Sequence, residues 1–271
     1  MNTYNHSQSK KQMGMMIQKG EVFHQKDELV HERALQIVVN GKEFSMTMQT
    51  PGDEFYLVRG LLHVEGLCFK KVLSFELQEF DHGTLAVLHV EGLDGVASKR
   101  NIVSTSSCGL CGKETMGKLF EGFDGLENTF VVSQNEIQKI YEKVIYEQPL
   151  FDRTGGCHAA AAVDPYGNVL CVFEDIGRHN AVDKVIGYLL EKNELQKAKV
   201  LTVSGRVSFE IIQKCHRARI PVLTAISSPS SLAVEMAEKA NITLAAFCRK
   251  DRVTFYSGLE RVSHMKELEL V

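Results

Sequence analysis

The sequence has almost no imbalance of charge, no long apolar run and no even set of cysteines. Its 31 basic and 34 acidic residues leave a formal net charge of -3, so no overall basic field favours nucleic acid as a partner. No apolar run approaches the roughly 18 residues that cross a bilayer. Residues 1–20 lack the apolar segment of a signal peptide. We therefore expect a cytoplasmic protein with no nucleic-acid or membrane partner.

Cysteine is present, but in a pattern that disfavours a disulfide framework. The chain has 7 cysteines, an odd number in a sequence without an export signal. Cys171 and Cys68 lie among apolar residues, which is typical of small packing side chains. Cys108 and Cys111 form a close pair in a polar, glycine-bearing segment that predicts an exposed loop. These two cysteines are the first candidates for chemistry.

The pattern along the chain predicts three parts. Residues 1–20 are predicted to be a mobile polar tail, 21–125 an N-terminal α+β domain with the cysteine loop at its end, and 126–271 a C-terminal α/β domain. In the first domain, Asn40-Gly41 predicts a hairpin turn between two strands, and 53–65 has the apolar spacing of a helix.

The second domain alternates strands with helices. Ser133 and Glu136 form the sequence pattern of a capping box that opens a helix. Strands are predicted at 158–163, 169–173, 200–203, 222–226 and 242–247, and helices at 180–192, 208–217 and 231–240. This alternation predicts an α/β layer with a largely parallel sheet.

A Cys-x-x-Cys loop has three physical uses: metal ligation, disulfide redox chemistry and the carriage of sulfur. A structural zinc site needs four donors, and no second pair of this spacing exists. Thioredoxin-like redox chemistry needs the motif at a strand-to-helix junction, which the surroundings of Cys108 do not supply. A sulfur carrier needs a reachable thiolate with small neighbours, such as Ser107 and Gly109. The spacing does not decide among these uses, and two surface cysteines without a role remain the alternative.

Three predicted strands end in loops that carry basic and small residues. Ligands of open α/β sheets bind outside the carboxyl ends of strands, so these loops are expected to converge on one pocket. Arginine binds phosphate in bidentate fashion, so the pattern favours a nucleotide or a pyrophosphate-bearing ligand over a neutral metabolite. For the run at 174–184 taken alone, a solvated turn with a helix cap is an equal alternative. The candidate ligand-binding residues are Arg178, His179, Arg206, Phe247, Cys248, Arg249, Lys250, Asp251 and Arg252.

Several motifs are similar to one known family. They lie at 39–41, 50–53, 107–112, 154–156, 174–184 and 204–206, together with Glu210. With these motifs, residues 31–258 resemble the FdhD/NarQ family of formate dehydrogenase accessory sulfurtransferases. The run at 174–184, EDIGRHNAVDK, is far more specific than the cysteine pair.

The resemblance implies a fold and a function. It implies a cytidine-deaminase-like fold for the second domain without deaminase activity, and a homodimer. It implies that Cys108 accepts persulfide sulfur from a cysteine desulfurase; the chemistry of the pair makes Cys111 a candidate for an assisting thiol. The sulfur then passes to a molybdenum bis-molybdopterin guanine dinucleotide cofactor, held as bound substrate in part by 247–252, before insertion into formate dehydrogenase. No permanently bound metal is expected.

Two other functions compete with this interpretation. A zinc-dependent nucleobase deaminase is suggested by His63-Val64-Glu65 together with Cys108 and Cys111. Against it, Ser107 stands where the deaminase signature has proline, and the two halves fall in a helix and a distant loop. The second alternative is a non-catalytic chaperone of the molybdenum cofactor, which would bind the same ligand without using Cys108.

Overall fold

The computed structural model describes residues 7–93, 122–127, 130–249 and 252–263. Cys108, Cys111, Lys250 and Asp251 therefore lie outside the described residues. The strands are β1 Ser9–Gln18, β2 Glu21–Val30, β3 Arg33–Val39, β4 Lys42–Gln49, β5 Lys71–Phe80, β6 Gly83–Glu91, β7 His158–Val163, β8 Val169–Asp175, β9 Val200–Val203, β10 Val222–Ala225, β11 Thr243–Arg249 and β12 Arg252–Ser257. The α-helices are α1 Glu54–Val64, α2 Gln134–Ile145, α3 Pro149–Thr154, α4 Arg178–Glu191, α5 Phe209–Arg217 and α6 Ser231–Lys239.

The first two strands form an antiparallel hairpin of their own. The prediction of a mobile polar tail at 1–20 is wrong for 9–18, because these residues are β1. Lys19 and Gly20 adopt positive φ, 53° and 86°, and this tight turn brings β2 back beside β1. The Lys-Gly pair was the sequence signal for this hairpin.

A four-stranded sheet with the order β4-β3-β6-β5 forms the rest of the N-terminal part. The predicted hairpin is confirmed, because Asn40 and Gly41 have φ of 48° and 75° and join β3 to β4. The predicted helix is confirmed as α1, whose Leu57, Val58 and Leu62 pack with the sheet in one buried cluster.

The second sheet has six strands in the order β12-β11-β10-β9-β7-β8. The prediction of a largely parallel sheet is wrong, since only β9, β10 and β11 run parallel to one another. β7 is antiparallel to both of its neighbours, and β12 is antiparallel to β11. For β7 and β8 the physical reason is the tight turn at 164–167, because a short connection between adjacent strands permits only antiparallel pairing.

Helices cover both faces of this sheet. Residues of α4, α5 and α6 share one buried cluster with the sheet, and residues of α2 share another. The capping box that opens α2 is confirmed: the Glu136 amide donates to Ser133 Oγ over 3.1 Å, and the Ser133 amide donates to Glu136 Oε2 over 2.6 Å. The fold is thus a mixed α/β arrangement.

The two sheets are joined by direct contact between α1 and α4. A Cβ built on Gly60 would lie 1.9 Å from the Asp183 carbonyl oxygen, and one on Gly187 would lie 1.9 Å from the Tyr56 carbonyl oxygen. The helices therefore touch backbone to backbone at two glycines. This close approach fixes the N-terminal part against the middle of α4, the helix whose first residues belong to the candidate site.

The predicted domain boundary at 125 needs a correction. Phe123 already packs in the cluster of the second sheet, and His216 Nε2 donates to the Asp124 carbonyl oxygen over 2.8 Å. Leu93 still packs in the cluster of the first sheet. The boundary between the N-terminal part and the part built on the second sheet therefore falls between residues 93 and 122. Within the described ranges, no helix is both long and apolar enough to cross a membrane.

Candidate functional site

The polar run at 174–184 is used mainly to hold the two sheets together. The Asp175 carboxylate accepts hydrogen bonds from the Gly177 amide at 2.7 Å and the Thr50 amide at 3.1 Å, and it lies 2.8 Å from Lys184 Nζ. Lys184 also donates to the Thr50 carbonyl oxygen over 2.9 Å. The side chains of Asp175 and Lys184 are fully buried.

Other members of the run have structural partners as well. Glu174 accepts hydrogen bonds from the amides of Leu150 and Phe151 at 2.8 and 2.7 Å, at the start of α3. Asn180 donates to the Met48 carbonyl oxygen over 2.7 Å. The two carboxylates and the amide of Asn180 are therefore bound to the protein's own backbone. Their polar atoms satisfy a buried junction.

Arg178 and His179 are the residues of the run that remain for a ligand. Arg178 is the first residue of α4, and its Nε is buried without a hydrogen-bond partner. Burial, followed by the charge of Arg206, holds the pKa of Arg178 below its usual value. His179 Nε2 lies 3.2 Å from Ser208 Oγ and 3.3 Å from Glu210 Oε2. His179 thus has partners, whereas Arg178 presents an unsatisfied donor.

The loop after β9 brings Arg206 to Arg178 and adds a histidine that sequence reasoning missed. A Cβ built on Gly205 would lie 3.2 Å from Arg178 Cβ and 3.3 Å from His158 Nδ1, so the loop backbone packs against both side chains. Burial, then the charges of Arg178 and Arg206, lowers the pKa of His158. We call His158, Arg178 and Arg206 the cationic cluster.

A cavity of about 520 Å³ lies on the α2 side of the second sheet. We call it the α2 cavity; its lining includes Tyr141, Tyr146, Gln148, Ser204, Cys248 and Arg249. No described residue satisfies the buried Tyr141 hydroxyl with a well-aligned hydrogen bond, although Thr224 and Cys248 lie beside it. Burial raises the pKa of Tyr141 well above its usual value. The cavity therefore combines apolar walls with the neutral hydroxyl of a buried tyrosine.

The described part of 247–252 divides between two environments. Phe247 has φ of 52°, an uncommon conformation for a residue with a side chain, and its ring lies 5.1 Å from the Arg252 guanidinium carbon. Cys248 is buried, and burial raises the pKa of its thiol to about 11. The register between β11 and β12 shifts between Ala246 and Arg249. This irregularity places Cys248 and Arg249 on the cavity while Phe247 and Arg252 stack with each other.

The three predicted loops do not form one common pocket; they form two adjoining regions. Arg178 and Arg206 belong to the cationic cluster, whereas Cys248 and Arg249 line the α2 cavity. Ser204 connects the two, because it lines the cavity and its Oγ lies 3.5 Å from His158 Nδ1. An elongated ligand with an anionic part and a planar part fits this arrangement better than a compact one.

The histidine of the deaminase alternative has a structural partner. His63 Nε2 donates to the Arg217 carbonyl oxygen over 3.1 Å, which joins α1 to α5. In the ranges that the structure covers, no group of three histidine, cysteine or acidic side chains is arranged to hold a metal ion. Cys108 and Cys111, the other half of that alternative, lie outside these ranges.

Comparisons with known proteins agree on one family. The model of the FdhD/NarQ family matches residues 30–263. A sulfur carrier protein FdhD from Mycolicibacterium paratuberculosis is 39% identical over 257 residues, covering 90% of this chain and 94% of the relative. One of the same name from Sulfolobus acidocaldarius is 37% identical over 233 residues, covering 85% and 89%.

A solved structure shows the same fold. It is the crystal structure of a protein from Desulfotalea psychrophila, assigned there as a candidate formate dehydrogenase accessory protein. It superposes with a TM-score of 0.74 and covers 94% of this chain and all of its own, at 22% identity.

Proposed function

Because the chain belongs to the FdhD/NarQ family, we propose that it is a sulfur carrier that serves as an accessory to formate dehydrogenase. The observation that carries the proposal is the identity of 36–39% with relatives named sulfur carrier protein FdhD, along most of the chain. The mixed α/β fold of the solved relative is consistent with it.

Cys108 is the proposed sulfur carrier. Its thiolate attacks the terminal sulfur of a persulfide on a cysteine desulfurase, and the sulfur–sulfur bond of the donor breaks. The donor cysteine leaves as a thiolate, and Cys108 becomes the persulfide. Ser107 and Gly109 are small neighbours that leave room for the partner's sulfur, and Cys111 is the nearest thiol in sequence to assist by proton transfer or by resolving the persulfide.

The chemistry of the other cysteines supports this choice. Burial raises the pKa of Cys157 and of Cys171 to about 12, and it also raises the pKa of the fully buried Cys215. A thiol must be deprotonated and reachable to carry sulfur, so these positions and Cys248 are unsuited to the task. The prediction that Cys68 is a packing side chain is wrong, because Cys68 is exposed, but it has no neighbouring cysteine in the sequence.

The proposed recipient is molybdenum bis-molybdopterin guanine dinucleotide, which the protein holds as substrate until its insertion into formate dehydrogenase. The cationic cluster suits its diphosphate, and the α2 cavity with Tyr141 and Arg249 suits a planar ring. The stacked pair of Phe247 and Arg252 borders the same end of the sheet. Lys250 and Asp251 enter the proposal on sequence alone.

Three further parts of the proposal come from the family resemblance. They are a cytidine-deaminase-like arrangement of the second sheet, a homodimer, and a cysteine desulfurase as the sulfur donor. The observation that supports the first of these is the strand order β8-β7-β9-β10-β11, with helices on both faces of the sheet.

The decisive experiment is intact and peptide mass spectrometry of the full chain after incubation with a cysteine desulfurase and cysteine. We expect one added sulfur on the peptide that contains Cys108, removable by a reductant. Cys68→Ser, which removes an exposed thiol, should load as the wild type does. Sulfur on Cys68 alone, or on no cysteine, would contradict the carrier function.

A further inference from the structure

One face of the β1–β2 hairpin is covered by exposed apolar side chains. We call residues 9–30 the arm. Side chains alternate between the two faces of a strand, so every second residue of β1 shares a face with its partners on β2. At the centre of this face lie Met13, Met15, Ile17 and Val22, which are 57%, 73%, 73% and 62% exposed. A contiguous apolar face of this kind, unlike single exposed apolar residues, marks an interaction surface.

The arm is held to the rest of the chain at its base. Glu28 accepts a hydrogen bond from Arg153 Nε over 3.0 Å, and a Cβ built on Gly156 would lie 3.2 Å from a methyl carbon of Val30. Beyond the base, every residue from 10 to 27 is exposed, so this part of the arm is not covered by its own sheet. A two-stranded hairpin alone is only marginally stable in water. The apolar face of the arm is therefore available to a partner.

Basic side chains flank the apolar centre of the arm. Lys26 lies opposite Met13, and Lys11 lies two residues before Met13 on the same face. Glu28 lies opposite Lys11, but its carboxylate also binds Arg153 at the base of the arm. The face therefore presents an apolar centre with one lysine on each of its two strands. A complementary surface would be apolar with acidic edges.

The outer face of the four-stranded sheet of the same chain has this complementary pattern. The strand registers place four residues in one row across β5, β6, β3 and β4, namely Glu76, Val87, Val38 and Glu43. The two valines are partly buried, whereas both glutamates are exposed. The row faces away from α1, because Ile37, the neighbour of Val38 in β3, packs in the cluster with that helix.

The arm and this outer face match in size. The row spans four strands, or about 14 Å at roughly 4.8 Å between neighbouring strands. The arm is two strands wide, and the lysine on each strand extends beyond it toward one edge of the row. Two sheets pack face to face about 10 Å apart with their strands within about 30° of each other. In that arrangement the apolar centre of the arm packs on Val38 and Val87, and the lysines approach the two glutamates.

We propose that the arm packs on the outer face of the four-stranded sheet of a second copy of the chain, and that a two-fold axis repeats the contact. One face of an arm with strands of 10 residues is about 33 Å long and 10 Å wide, or roughly 330 Å². With reciprocal exchange each copy contributes an arm and a receiving face, about 660 Å², which is near the roughly 800 Å² per partner of a stable interface.

This contact is additional to what family membership supports. The family match begins at residue 30, so it leaves out the arm up to residue 29. The inference rests on the homodimer of the proposed function and assigns the residues that form its contact. It does not depend on the sulfur chemistry of Cys108.

The arm is tested by measuring the dissociation constant of the full chain in a dilution series, with light scattering after size exclusion. Met15→Asp should raise the dissociation constant about tenfold or more, because it places an unpaired carboxylate in the contact. Gln12→Asp, on the opposite face of β1, should dissociate as the wild type does. Both positions are exposed, so the fold should be unchanged, which circular dichroism checks. Equal dissociation constants for the two variants would overturn the arm contact.

The receiving face is tested by exchanging charges between the copies. Lys26→Glu should weaken the dimer about threefold or more, the effect of placing like charges together. Combining it with Glu43→Lys or with Glu76→Lys should restore the wild-type value in one of the two double variants, which a double-mutant cycle measures. Lys10→Glu, on the opposite face of β1, is the control for the change in net charge. Recovery in neither double variant would overturn the receiving face.

The outcomes separate this inference from the rest of the proposed function. A wild-type chain that stays monomeric at every concentration would overturn both the homodimer and the contact, and would leave the arm to a different protein. A dimer that ignores Met15→Asp would overturn the contact alone. A dimer that responds as expected in a protein whose Cys108 never acquires sulfur would support the contact and overturn the carrier function.

Discussion

Lys184 and Asp175 form an ion pair with a 2.8 Å separation between Nζ and Oδ2, and neither side chain is exposed to solvent. The pair lies where Thr50, from the N-terminal part, meets the end of β8. Both members are surrounded by backbone hydrogen-bond partners, which offsets the cost of taking two charges out of water. The pair therefore joins the two sheets.

Removing one partner of this pair should be strongly destabilising. Lys184→Met leaves the Asp175 carboxylate buried and uncompensated, and we expect a loss of about 3–5 kcal/mol in the free energy of unfolding. Urea unfolding followed by circular dichroism measures it. The matched control is Lys197→Met, which breaks a 2.7 Å ion pair with Glu194 whose lysine side chain is 55% exposed. Equal effects of the two substitutions would contradict the role given to the buried pair.

This junction also shows what sequence reasoning could and could not predict. The end of β8, the start of α4 and the capping box at Ser133 were predictable, because each depends on local residues. The buried ion pair between Asp175 and Lys184 was not predictable from the sequence. A charged run after a strand has the same sequence pattern whether it binds a ligand or another part of the chain. Here Asp175 binds Thr50, which is 125 residues away in the sequence.

The prediction of the strand order was also limited, because strand order depends on contacts between residues that are far apart in the sequence. Alternation of strands and helices predicted the parallel set β9, β10 and β11, but it could not show that β7 lies between β8 and β9. β12 was missed because 247–252 was interpreted only as a ligand loop. His158 was missed for a related reason, since its neighbours Arg178 and Arg206 come together only through the packing of Gly205.

The glycine contact between α1 and α4 gives a second stability prediction. Gly60→Ala would place a methyl group 1.9 Å from the Asp183 carbonyl oxygen, so the helices must separate. We expect the free energy of unfolding to decrease by about 1–3 kcal/mol, as in other overpacked protein interiors. Gly14→Ala is the control, because its added methyl would meet nothing nearer than 3.8 Å. A Gly60→Ala protein as stable as Gly14→Ala would refute the close contact.

Cys108→Ala separates a sulfur carrier from a chaperone that only binds the cofactor. In a strain lacking the native gene, the variant should fail to support formate dehydrogenase activity, because no thiolate is left to carry sulfur. Its affinity for GDP should equal that of the wild type, since the α2 cavity and the cationic cluster are unchanged. Cys68→Ala is the control for loss of an exposed thiol. Full activity with Cys108→Ala would favour the chaperone.

Arg249 and Arg252 test the ligand role of the β11–β12 connection. Arg249 lines the α2 cavity, and Arg252 stacks on Phe247. Arg249→Ala and Arg252→Ala should each weaken GDP binding by about tenfold, the value of one charge-assisted contact. Sulfur loading of Cys108 should be unchanged in both variants. Unaltered GDP affinity in both would mean that the nucleotide binds elsewhere.

Stability should fall as the pH is lowered through the range in which an unfolded histidine gains its proton. His216 is buried, donates to the Asp124 carbonyl oxygen and lies 4.9 Å from the Phe123 ring, measured between ring centres. Burial is the main cause that lowers its pKa below 6.5, so the unfolded chain binds a proton more readily than the folded one. The contribution of His216 to the free energy of unfolding therefore increases as the pH rises through about 6.5. It is lost as the pH falls toward the pKa that His216 has in the folded protein.

His216→Gln should flatten this pH dependence, because glutamine keeps a donor for the Asp124 carbonyl oxygen but does not titrate. The measurement is urea unfolding at a series of pH values from about 5.5 to 7.5, around the usual pKa of histidine. Phe123→Leu is the control, since it loosens the same contact while keeping the imidazole. The slope should remain near that of the wild type in Phe123→Leu. If His216→Gln retains the full slope, other groups govern the acid sensitivity, and the segment at 122–127 is held to α5 without a titrating contact.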